Sequence, residues 1–76
     1  MAIVKSIVHL PLDRDSPHSE ADCTYHIATD GEGRRYLQID TYGSNARQVK
    51  GKKSQSIRFS PEAIAELKLI LARHNL

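Results

Sequence analysis

The sequence predicts an α+β domain, a small antiparallel sheet of three to four strands with a carboxy-terminal helix packed on one face, in the order ββββα. Three observations predict it. "CTYHIAT" and "RRYLQIDTYG" each alternate apolar and polar residues, and the "DGEG" between them has the residues of a hairpin turn. "SQSIRF" repeats the alternation after a basic stretch. "SPEAIAELKLILARHNL" then changes to helical spacing behind a serine, a proline and an acid.

Taken in order, "AIVKSIVHL" reads as a first strand through Ile3, Val4, Ile7, Val8 and Leu10. The prolines, acids and serines of "PLDRDSPHSEAD" read as a surface connection, so residues 1–21 form an amino-terminal strand and polar loop. The hairpin covers residues 22–42 and the sheet residues 22–59, with a polar, basic loop at 43–53. The helix takes residues 60–75. Ser60 is its N-cap, Pro61 its first position and Glu62 an acid where the helix dipole favours one, while Arg73 and His74 supply cations at the other end. Ala63, Ile64, Leu67, Ile70 and Leu71 form the stripe expected to cover the sheet. Ala65, Leu69, Ala72 and Leu76 form a second stripe, which a single sheet leaves uncovered. These four are the expected dimer interface. At 76 residues a single core stabilises by only about 3–5 kcal/mol, which makes a homodimer the expected assembly.

The net charge of +2 conceals a separation along the chain. Residues 1–33 sum to −4 and residues 34–58 to +6, the latter with Asp40 as their only acid. Such asymmetry points to a polyanionic partner. Cys23 is the only cysteine, which excludes an internal disulfide and favours a reducing, cytoplasmic setting, in a bacterium or phage. The amino terminus lacks the pattern of a signal peptide, and no stretch approaches the ~20 apolar residues that cross a bilayer. A soluble protein without a membrane role is expected.

Alternation divides the strands into two faces. Tyr25, Ile27, Leu37, Ile39, Ile57 and Phe59 share the expected core face. Thr24, His26, Tyr36, Gln38, Asp40, Tyr42, Ser54, Ser56 and Arg58 share the open one. Its rim is Arg34, Arg35, Arg47, Lys50, Lys52 and Lys53. Aromatics that stack bases beside cations that follow phosphates suit sequence-tolerant binding of single strands. The expected contacts are therefore Arg34, Arg35, Tyr36, Gln38, Tyr42, Arg47, Lys50, Lys52, Lys53 and Arg58. The plainer reading makes Tyr36 and Tyr42 an ordinary cross-strand packing pair.

From Arg34 onward the chain resembles the positive cofactor four family of transcriptional coactivators and their bacterial relatives. The likeness lies in "YLQIDTY", in "GKK" and in "IRFSPEAIAELK", in that order and spacing. It implies a dimer of four-stranded sheets with helices that binds single-stranded DNA in transcription or another DNA transaction, with Lys52 and Lys53 on the DNA backbone. Ile64 stands where that family typically has tryptophan, and Ser54 and Gln55 are additional before the last strand.

No catalytic constellation emerges, so the protein is expected not to be an enzyme and to need no cofactor or metal. His18, Cys23 and His26, with His9 as a fourth ligand, have a spacing that zinc accepts. An alternating strand separates Cys23 from His26, and Cys23 reads as a small buried thiol on the core side. Asp40 reads as a structural partner for Arg58, and "GKK" lacks the glycine spacing and hydroxyl of a phosphate-binding loop. The alternative to nucleic-acid binding is a small protein-interaction module or inhibitor, of phage or mobile-element origin, that docks its basic surface on an acidic partner.

Overall fold

The computed structural model describes residues 1–42 and 53–76. Its elements are β1 (Ala2–Val4), β2 (Cys23–Thr29), β3 (Arg35–Thr41), β4 (Gln55–Phe59) and α1 (Pro61–Arg73). The α+β architecture is as expected, a four-stranded sheet with one carboxy-terminal helix.

The sheet is mixed rather than antiparallel. Its order is β1-β4-β3-β2, with β2–β3 and β3–β4 antiparallel and β1 parallel to β4. β1 and β2 therefore lie on opposite edges, and the long connection between them crosses a sheet roughly 15 Å wide at about 4.8 Å per strand spacing. A tight hairpin cannot make that crossing. β1 is also shorter than the apolar pattern through Leu10 suggests. Ala2, Ile3 and Val4 pair with Ile57, Arg58 and Phe59, and Ser60 N–H then donates to the Val4 carbonyl at 3.0 Å. Beyond Ser60 the partner strand has become a helix, so Lys5 and its successors have no ladder to join.

The β2–β3 turn is built by Asp30. Its Oδ1 accepts from the backbone N–H of Glu32 and of Arg34, both at 2.9 Å, and Asp30 N–H donates to the Arg34 carbonyl at 3.0 Å. These bonds, that from Arg34 first, hold the Asp30 carboxyl below its ordinary value. Gly33 has φ of +83°, a left-handed conformation that a Cβ disfavours. Gly33→Ala is expected to cost about 1 kcal/mol in denaturant unfolding. Gly31→Ala, where an added Cβ meets nothing within 4 Å, is expected to stay within about 0.5 kcal/mol. Equal losses at the two glycines would refute this account of the turn.

The helix is capped at both ends. Ser60 Oγ accepts from Ala63 N–H at 3.1 Å, and Pro61 occupies the first turn. At the far end Asn75 takes φ of +56°. Leu76 N–H reaches the Leu71 carbonyl at 2.9 Å and Asn75 N–H the Ala72 carbonyl at 3.3 Å, which satisfies carbonyls that the helix itself leaves unpaired.

The core is smaller than the apolar stripes suggest. α1 packs on β3 and β4, and Ala63 is the only fully buried apolar residue among those described. Leu37, Ile39, Phe59, Ile64 and Leu67 are half-buried. Tyr25 is 72% exposed, Ile27 51% and Ile57 37%, although all three were assigned to a covered face. One helix on four strands leaves Tyr25 and Ile27 of β2 uncovered and shields Ile57 of β4 only in part. Cys23 is exposed too, since it sits at the start of an edge strand that the helix does not reach. The second stripe of the helix is open to solvent, with Leu69 55% exposed.

Candidate nucleic-acid interface

Strand register assembles the polar face. Gln38 lies between His26 on β2 and Arg58 on β4, and Asp40 between Thr24 and Ser56. Asp40 is fully buried although it stands on the side of the sheet away from the helix. Its neighbours close over it. Oδ1 accepts from Ser56 Oγ at 2.6 Å and from Gln38 Nε2 at 2.9 Å. Oδ2 accepts from His26 Nε2 at 2.8 Å and lies 3.3 Å from Lys53 Nζ. The bonds from Ser56 and Gln38, then those from Lys53 and His26, outweigh burial and hold this carboxyl far below the usual carboxylate range.

Asp40 does not pair with Arg58, contrary to the expectation from sequence. Gln38 stands between them. Its Oε1 accepts from Arg58 Nε at 3.1 Å and from Nη2 at 2.6 Å, while its Nε2 donates to Asp40. Register is the cause, since the residue directly opposite Arg58 is Gln38. The Asp40 charge is thus answered by Lys53, Ser56, Gln38 and His26, and Arg58 has a neutral partner.

Tyr36 lies beside this cluster. The guanidinium carbons of Arg34 and Arg58 are each 6.0 Å from its ring centroid, at the outer reach of cation–π attraction. Its hydroxyl donates to Asp30 Oδ2 at 3.1 Å. Burial, then that bond, raises the phenol above its ordinary value, so the ring remains uncharged. Tyr42 belongs to the other end of β3, where its hydroxyl meets Thr24 Oγ1 at 3.0 Å. The two tyrosines are not a cross-strand pair. They share one strand direction, six positions apart, which is roughly 20 Å at about 3.4 Å per residue.

Two other expected contacts change character. Arg34 Nη2 donates to both oxygens of Glu62, at 2.6 and 2.7 Å, which ties the hairpin to the first helical turn and offsets its charge. Arg35 pairs with Thr29 and alternates with Tyr36, so it belongs to the helix-bearing face, beside Leu37, Ile64 and Lys68. Lys53 is held at Asp40. Arg47, Lys50 and Lys52 lie outside the described residues, but both ends of their segment are anchored at one end of the sheet. Tyr42 N–H donates to the Asp22 carbonyl at 3.0 Å, and Ser54 N–H to the Thr41 carbonyl at 2.8 Å.

Among the described residues no group of three His, Cys, Asp or Glu side chains is placed to hold a metal ion, and no helix is long and apolar enough to cross a membrane. Sequence reasoning missed the His26–Asp40–Lys53 cluster and the Arg34–Glu62 pair. No local signal marks either, because their members come from different elements. Compared with known proteins, the chain matches no family model, no curated sequence and no solved structure.

Proposed function

We propose that the chain is a non-enzymatic module that binds single-stranded nucleic acid, DNA foremost, with little sequence preference, and that it acts as a homodimer in transcription or another DNA transaction. One observation carries the reading. The polar face presents Arg58, whose bonded partner is a neutral amide, beside the uncharged ring of Tyr36. Such a pairing of cation and flat ring suits a phosphate and its base. The basic stretch supports it from sequence, since Arg47, Lys50 and Lys52 belong to the segment between Tyr42 and Ser54, both of which are bonded to the sheet. The resemblance to the positive cofactor four family agrees in the same region.

Fluorescence titration with matched single- and double-stranded oligonucleotides tests the proposal. Single strands are expected to bind more tightly, with an affinity that falls steeply as salt rises. Tyr36→Ala and Tyr42→Ala are each expected to cost about 1–3 kcal/mol of that affinity. Unchanged affinity in both variants removes base stacking. Equal competition by heparin, with no preference for an oligonucleotide, points instead to an acidic protein partner.

A further inference from the structure

We infer that Asp40 and Gln38 are positioning residues for Arg58, and that Arg58 so held is the face's phosphate contact; this second part rests on the function proposed above. The Gln38 amide can be oriented in two ways, and only one satisfies both neighbours. Its oxygen must meet the Arg58 donors, because a guanidinium accepts nothing, and its nitrogen must meet Asp40, because an ionised carboxylate donates nothing. Asp40 is in turn held by Ser56 and His26 from the strands on either side of β3. The chain of bonds therefore runs from a fully buried charge to an arginine on the neighbouring strand.

The consequence is a pre-aimed guanidinium. Nε and Nη2 are engaged by Gln38, and Nη1 has no bonded partner among the described residues. Arg58 differs here from the other cations of the face. Arg34 is bonded by Glu62 and Lys53 by Asp40, whereas Gln38 orients Arg58 without cancelling its charge. A carboxylate in that place would neutralise Arg58 and would have no proton to donate to Asp40. A planar donor edge held in advance suits a phosphate oxygen pair and loses less freedom on binding.

The experiment combines two readouts on the whole chain, with oligothymidylate as the probe. The first is hydrogen exchange of the Arg58 Nε–H, followed by nitrogen-15 resonances without any ligand. Slow exchange in the wild type, made at least about tenfold faster in both Asp40→Asn and Gln38→Met, is the expected result. Exchange unchanged in Gln38→Met, which removes the acceptor without disturbing a buried charge, overturns the positioning role whether or not Asp40→Asn folds. The second readout is oligothymidylate affinity against salt. Arg58→Gln is expected to weaken binding about tenfold and to reduce the slope of log affinity against log salt by about 0.7, one phosphate of a single strand. Gln38→Met should weaken wild-type binding yet add nothing in an Arg58→Gln background. An equal loss in that background overturns the coupling, and a normal slope in Arg58→Gln overturns the phosphate contact while leaving single-strand binding intact. Failure of the wild type to bind overturns the functional reading and the phosphate contact together, a result distinct from any outcome of the exchange measurement.

Discussion

Sedimentation of the wild-type chain at micromolar concentration and moderate salt is expected to return the mass of two chains, and Leu69→Glu the mass of one. The reason is the shortage of core. Among the described residues only Ala63 is fully buried and apolar, while Tyr25, Ile27 and Ile57 on the sheet, Leu69 on the helix and Leu76 beyond its end remain open. A chain of 76 residues has only about 3–5 kcal/mol to draw on when its core is complete. Each leucine buried at a two-fold contact adds about 1.5–3 kcal/mol, and symmetry counts it twice. Leu69→Glu is therefore expected to yield a less stable monomer that binds single strands more weakly. Glu66→Lys, on an already exposed and charged position, should leave the assembly intact. A wild type that sediments as one chain would sink the homodimer.

Asp40→Ala is expected to lower the thermal midpoint by roughly 10 °C, the largest effect of any single change on the polar face. The variant leaves Ser56, Gln38, His26 and Lys53 without their shared acceptor, and the first two have little access to compensating water. The pH dependence identifies the cause. The folded carboxyl lies far below its ordinary value of 3.8, so folding favours the ionised form. The stability this contributes is complete above the unfolded value and declines as pH falls below it toward the folded one. Asp30 and Glu62 are lowered as well, so acid weakens the wild type through all three. The difference between wild type and Asp40→Asn isolates Asp40. It is expected to shrink below about pH 4. A difference that persists undiminished at pH 2 would show that Asp40 acts through shape, not charge.

Much of the fold was legible because much of it is local. Asp30 and Gly33 specify their turn within four residues, and Ser60 with Pro61 starts the helix within two. Alternation placed Tyr36, Gln38 and Arg58 on one face correctly, since a strand has no other way to distribute its side chains. The same rule, applied strictly, would have sent Arg35 to the opposite face. The covered core was overestimated for a different reason. An apolar pattern shows which side avoids water, not how much of it one helix can shield, and the Tyr25 end of the sheet lies beyond the helix.

The partners of Asp40 could not be read in the chain at all. Its sequence neighbourhood shows one acid among cations, for which Arg58 is the obvious electrostatic partner. Register between strands placed Ser56 opposite Asp40 and Gln38 opposite Arg58, and a slip of two positions would have reversed that choice without moving any residue to the other face. The position of β1 was equally undetermined, because a three-residue strand can pair with either open edge, β2 or β4, and the fold gives it β4. Spacing within a few residues suffices for the hairpin, the last strand, the helix and the charge they carry. Which charges cancel depends instead on contacts between Lys53 and Asp40, Arg34 and Glu62, and Arg58 and Gln38, groups separated by many residues and joined by the fold.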